Sequence, residues 1–155
     1  MNTAVDANLR QLLDAFAARW NLGQLSVDEQ GRYRLEVDGW LEIRLFQNGG
    51  ALFLEGSPGR LRPDDPGRDD WIARILRAQL RDLRDREEVL TLDPEEDQLI
   101  LFRRLQAAQL TPDRLEEVIE AFITQLERWT RELSQPASSS VPTAPPLPAL
   151  QLFFP

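Results

Sequence analysis

An α+β fold, with an antiparallel sheet and three helices in the order α-β-β-β-β-α-β-β-α, follows from three features of this 155-residue sequence. Apolar residues recur with the 3.6-residue helical period in three separate stretches. Between these stretches, apolar and polar residues alternate with period two. Asp38-Gly39 and Asn48-Gly49-Gly50 supply tight turns between alternating runs, so neighbouring strands run antiparallel.

The first helix is predicted from about Ala4 to Trp20. Thr3 and Asp6 form a Thr-x-x-Asp start signal, and Val5, Leu9, Leu12, Leu13, Phe16 and Trp20 share one face. Leu25 and Val27 make a short strand before the Glu29-Gln30-Gly31 turn. Tyr33, Leu35 and Val37 alternate with Arg32, Arg34 and Glu36 in a half-buried strand. Trp40 to Phe46 and Ala51 to Glu55 are the third and fourth strands, and Pro58 to Gly67 reads as a loop. Asp69-Asp70 open a second helix, with acidic side chains at its positive end. Val89 to Leu92 and Leu99 to Leu105 form a hairpin around Asp93-Pro94-Glu95-Glu96-Asp97. Thr111-Pro112 is an N-cap with proline at the first helical position of a third helix, which runs to about Leu133. The chain therefore divides into an α+β domain, 1–133, and a flexible Pro/Ser-rich tail, 134–155, which holds no ionisable side chain and six of the 11 prolines.

Composition removes most catalytic chemistry. There is no His and no Cys, and all 18 basic residues are Arg. The common general base, zinc ligands and Schiff-base amine are thus missing. Ser26 and Ser57 lack a nucleophile-elbow context, and no segment matches a calcium loop. The adjacent carboxylates Asp64-Asp65, Asp69-Asp70, Glu87-Glu88 and Glu95-Glu96 lie in turns or at element ends, and sequence neighbours usually point apart. A carboxylate-dependent hydrolase is the one enzymatic alternative. A net charge of −8 opposes nucleic acid and anionic membrane surfaces as partners. No secretory signal is visible in Met1 to Arg10 and no stretch approaches membrane-spanning length, so the expected compartment is the cytoplasm. No cofactor or metal is expected.

Function is therefore expected in a binding surface. Trp40 and Phe46 share a strand face with Glu42 and Arg44, Phe53 shares one with Glu55, and Phe102 shares one with Arg104. Each aromatic either packs under a helix or loop, or lines a groove that accepts a partner, with Arg44, Arg103 and Arg104 at its rim. In the second helix, Trp71, Ile72, Ile75, Leu76, Leu80 and Leu83 cover roughly half the circumference, more than a single-sided helix needs. That arc suits an internal helix or a homodimer seam, and in so small a domain the seam is favoured. Leu150, Leu152, Phe153 and Phe154 in the tail could dock on an apolar patch.

The element order between about Leu9 and Leu133 resembles the class I type III secretion chaperones, the Tir-chaperone-like family. The resemblance is carried by Leu12-Leu13-Asp14-Ala15-Phe16-Ala17, by Leu25-Ser26-Val27-Asp28-Glu29-Gln30-Gly31, and by Gln106-Ala107-Ala108-Gln109-Leu110-Thr111 leading into the last helix. It implies a homodimer built largely through the second helix. It also implies a partner, the N-terminal region of a secreted effector, held extended by edge-strand addition and helix-in-groove contacts without ATP. A regulatory relative, which sequesters a transcriptional regulator of secretion genes, shares the same pattern. The tail after Leu133 departs from the family's compact ending.

Overall fold

A computed structural model describes residues 3–82 and 84–135, with the side chains of residues 3–6 outside the description. The Thr3/Asp6 start signal, Val5, Leu83 and tail residues 136–155 therefore lie outside the described residues. The elements are α1 (Thr3–Arg19), β1 (Ser26–Val27), β2 (Tyr33–Val37), β3 (Leu41–Asn48), β4 (Ala51–Arg60), α2 (Arg68–Asp82), β5 (Val89–Asp93), β6 (Gln98–Gln106), a 3₁₀ turn (Ala107–Gln109) and α3 (Pro112–Ser134). The six strands form one antiparallel sheet in the order β1-β2-β3-β4-β6-β5.

Local chemistry places the turns. Asp38 and Gly39 both take positive φ, 52° and 73°, as a tight hairpin dipeptide requires, and the Trp40 amide donates to the Val37 carbonyl at 3.2 Å. Thr111 caps α3 by accepting the Arg114 amide through its side-chain oxygen, with Pro112 in the first turn.

One strand runs longer than its sequence suggests. β4 continues past Glu55 to Arg60, through what reads as the start of a Pro/Gly loop. Its register with β6 shifts between Gly56 and Gly59, so Pro58 sits in an irregular stretch. There its missing N–H costs the ladder nothing.

Strand alternation turns Leu35, Leu41, Ile43, Leu45, Leu52, Leu54, Leu90, Leu99 and Leu101 to one face, all buried. They meet Leu9, Leu13 and Phe16 of α1, and Leu115, Ile119, Phe122 and Leu126 of α3, in a single apolar core. α3 lies across β4 and α1 packs on α3. α3 comes close at Gly56: a Cβ there would lie 2.7 Å from Leu126 Cδ2, so the buried Leu126 side chain would have to shift to admit it. α2 closes one sheet edge. The Gln79 side chain accepts the Leu90 amide and donates to the Leu90 carbonyl, completing the backbone pairing of edge strand β5.

Arg103 does not belong to an outward groove. It alternates with Leu101 on the helix-covered face, is 7% exposed, and donates to Glu88 at 2.8 Å and to Glu87. Residues 102, 103 and 104 occupy consecutive strand positions, so Arg103 points away from the face shared by Phe102 and Arg104.

Two stability predictions result. Gly56→Val should destabilise the domain by about 1–3 kcal/mol through overpacking against Leu126, measured by urea unfolding. Arg103→Ala should cost about 3–5 kcal/mol because it leaves the buried Glu88 carboxylate unpaired, whereas Arg104→Ala should stay within about 0.5 kcal/mol.

Candidate functional site

The helices leave the opposite sheet face to solvent among the described residues. Cross-strand register fixes what stands there. Phe46 of β3 pairs with Phe53 of β4, which pairs with Arg104 of β6. In the adjacent row, Arg44 pairs with Glu55, Glu55 with Phe102, and Phe102 with Val89 of β5. The Phe46 and Phe53 rings stack with centroids 5.3 Å apart and planes inclined by 9°. That contact is the aromatic cross-strand pairing that stabilises sheets, and it leaves both rings partly exposed. Phe102 is partly exposed beside them, and Arg104 is exposed. Trp40, at the end of the β2–β3 turn, is 57% exposed. It lines a hollow of about 180 Å³ together with Glu42, Arg44, Glu55, Ser57, Gln98 and Ile100. Ile100 was missed in sequence, although it shares the strand parity of Phe102.

The charges that line the Trp40 hollow are mutually paired. Arg44 Nε donates to Glu42 at 2.9 Å and Nη1 to Glu55 at 3.5 Å. Arg32 bridges Asp28 at 2.8 Å and Glu55 at 3.7 Å, and Arg34 meets Glu42 at 3.3 Å. The Glu42 hydrogen bond holds the Arg44 guanidinium above its ordinary pKa against the opposing effect of burial, with the charges of Glu42, Glu55 and Asp28 adding. The Arg32 backbone amide holds the Asp28 carboxyl below its ordinary value, against burial and with help from the Arg32 side chain and the Gln30 amide.

The apolar arc of α2 splits into two stripes. Trp71 and Ile75, 8% and 5% exposed, are buried in their own subunit's core and are not available to a second copy. The Arg74 guanidinium covers the Trp71 ring at 4.9 Å. The outward stripe is Ile72, Leu76 and Leu80, at four-residue spacing. Ile72 is partly buried against the core, while Leu76 and Leu80 are 60% and 74% exposed. The half-circumference is wide because the helix has apolar side chains on two sides.

A third patch was not singled out from sequence. Trp20, Leu22 and Val27 are exposed where α1 leads into β1. Trp20 is predicted to share the buried face of α1. Instead it ends the helix, stacks on Phe16 at 6.0 Å and donates its indole N–H to Glu116 at 3.1 Å. Nearby, β1 pairs with β2 only at Tyr33 and Arg34, so Leu35–Val37 of β2 lie beyond its cover.

No group of three or more acidic, His or Cys residues that could hold a metal occurs among the described residues. No described helix is long and apolar enough to cross a membrane.

No curated protein matches the chain. Several solved structures do. A chain of the ExsC–ExsE complex is 26% identical with a TM-score of 0.66, over 86% of this chain and 97% of that one. A chain of the HopA1–SchA chaperone–effector complex is 19% identical with a TM-score of 0.64, over 81% and 96%. A chain from the complex of the Yersinia pestis type III secretion chaperone SycH with a stable fragment of YscM2 is 20% identical with a TM-score of 0.58, over 77% and 97%. The sequence profile of the Tir chaperone protein (CesT) family matches residues 11–130, and the chain belongs to that family.

Proposed function

We propose that this protein is a type III secretion chaperone that binds the N-terminal region of a secreted effector and keeps it soluble and secretion-competent without ATP. One observation carries the reading: a member of this family leaves Trp40, the Phe46–Phe53 stack and Phe102 on a sheet face that no described helix covers. Burying a large apolar side chain is worth about 1.5–3 kcal/mol, so a folded effector-free subunit retains binding energy on this face. An extended segment would use it by laying alternate side chains over the aromatic rows, or by pairing with β2 beyond the short β1. The similar SchA structure is a chaperone–effector complex, which supports the same type of partner.

The protein acts as a homodimer in this reading, with Ile72, Leu76 and Leu80 as the seam and the outer sheet faces left for the effector. It works in the bacterial cytoplasm as a binding protein, not an enzyme. The domain is proposed to end with α3, whose last residue, Ser134, places the boundary one residue beyond the 133 expected from sequence.

Light scattering should give a dimer for the wild type and a monomer for Leu76→Glu/Leu80→Glu, with far-UV circular dichroism unchanged because both side chains stand outside the core. A variant that stays dimeric would remove α2 from the seam. Trp40→Asp should weaken binding of the protein to effector N-terminal segments from its own bacterium by at least about tenfold, with melting temperature held within a few degrees. If no such segment binds the wild type in a calorimetric titration, the chaperone reading fails.

A further inference from the structure

A cleft of about 770 Å³ lies between α3 and residues 84–88, the stretch that leads into β5. Four arginines line it, Arg84, Arg86, Arg103 and Arg114, with the three carboxylates of Asp85, Glu87 and Glu88. The local balance is positive, in a chain whose net charge is −8. We propose that this cleft takes an Asp or Glu side chain from a polypeptide partner, and that Glu87 holds that place on Arg103 until the partner arrives. The partner being another chain rests on the chaperone reading; its acidic character rests on the arginines.

Arg103 has two unequal partners. Its Nη1 donates to Glu88 at 2.8 Å, and the Glu88 side chain is only 7% exposed. Its Nη2 donates to Glu87, whose side chain is 64% exposed. Nε, which lies on the same side of the planar group as Nη2, is buried and has no acceptor. Glu87 therefore engages one prong of a two-pronged fork. A carboxylate laid along that side would bond Nε and Nη2 together, the bidentate geometry that guanidinium and carboxylate favour. Glu88 is not exchangeable, because its departure would leave a buried charge alone. Glu87 is exchangeable, because its carboxylate already stands mostly in water.

The neighbouring arginines have spare capacity for the same anion. Arg84 makes no ion pair among the described residues. Arg86 reaches Asp82 only at 3.7 Å, and its Nη1 is buried without an acceptor. Arg114 meets Glu117 at 3.0 Å, with both side chains more than half exposed. Once Glu87 swings out, four arginines face two carboxylates. An acidic segment restores the balance there, which a basic or uncharged one cannot do.

The test is an NMR titration of the full chain, at low ionic strength, with the blocked peptide acetyl-Gly-Glu-Glu-Gly-amide. The Arg103 and Arg86 Nε–H resonances should move saturably while that of Arg44 stays fixed. The same peptide with Gln in place of Glu should move none of them. Glu87→Gln should bind the acidic peptide about two- to fivefold more tightly than the wild type, because an internal competitor is gone. Arg84→Gln should bind it more weakly by a similar factor. Should Glu87→Gln fail to fold, Glu87→Asp, which reaches Arg103 less well, should change affinity in the same direction. An unmoved Arg103 resonance, equal response to the Gln peptide, or unchanged or weaker binding by the Glu87 variant would each overturn the inference. If those failures occur in a protein that binds an effector segment, this inference alone is lost. Acidic peptide bound as expected, in a protein that binds no effector segment, would sink the chaperone reading instead.

Discussion

The contact between α3 and β4 fixes how the molecule divides its surfaces. Gly56 lets the helix come down until Leu126 touches the strand, and the inward leucines of β3, β4 and β6 close around Phe122 and Ile119. A single six-stranded sheet has two faces, and α1 and α3 supply the cover for one of them. Cross-strand register then dictates the remainder. Once Leu45 and Leu54 point at α3, Phe46 and Phe53 must point away from it. The aromatic stack on the open face is thus tied to the buried core by the same alternation. It cannot be moved without reversing the strand.

An open face of this kind raises a solubility problem, and arginine pairing answers it. Large contiguous apolar patches promote self-association. Here the aromatic rows are interrupted by Glu42, Arg44 and Glu55, which are held in place by bonds to one another. The exclusive use of Arg matters at these sites. A guanidinium can hold two acceptors at once in a planar fork, as Arg44 does with Glu42 and Glu55, and as Arg128 does between α2 and α3 with Asp82 and Glu132. Burial alone would raise the Asp82 carboxyl. The hydrogen bonds from Arg81 and Arg128, with the charges of Arg128 and Arg86, outweigh it and hold the group below its ordinary value. The same chemistry that ties the helices together keeps the sheet face wet between its rings.

Most of the architecture was legible because it rests on periodicity and turn chemistry. Asp38-Gly39, the Thr111-Pro112 cap and the alternation of β2, β3 and β6 are local signals, and local signals survive folding. The differences arise where tertiary contact decides. Pro58 reads as a loop residue until a register shift beside β6 gives it a place in β4. Trp71 and Ile75 belong to the same apolar arc as Leu76 and Leu80, and only the position of the core divides that arc into an inner and an outer stripe. Arg103 is a different matter. Strand parity already separates it from Arg104, and its partners Glu87 and Glu88 are the sort of adjacent carboxylates that sequence alone assigns to a solvated turn.

Two exposed apolar surfaces on one small subunit have different geometry, and that difference suits them to the two tasks proposed for them. The α2 stripe is narrow and straight, with aliphatic side chains one helical turn apart. Such a surface is self-complementary under a two-fold axis, because each leucine can meet its own copy or its neighbour's. The sheet face is broad, aromatic and crossed by charge pairs, so two copies placed face to face would oppose like charges as often as unlike ones. An extended chain avoids that conflict by threading between the pairs along the rings. The proposed seam on the helix and the proposed segment on the sheet therefore draw on different side chains, and a dimer through α2 would leave the sheet face of each subunit free to hold a segment.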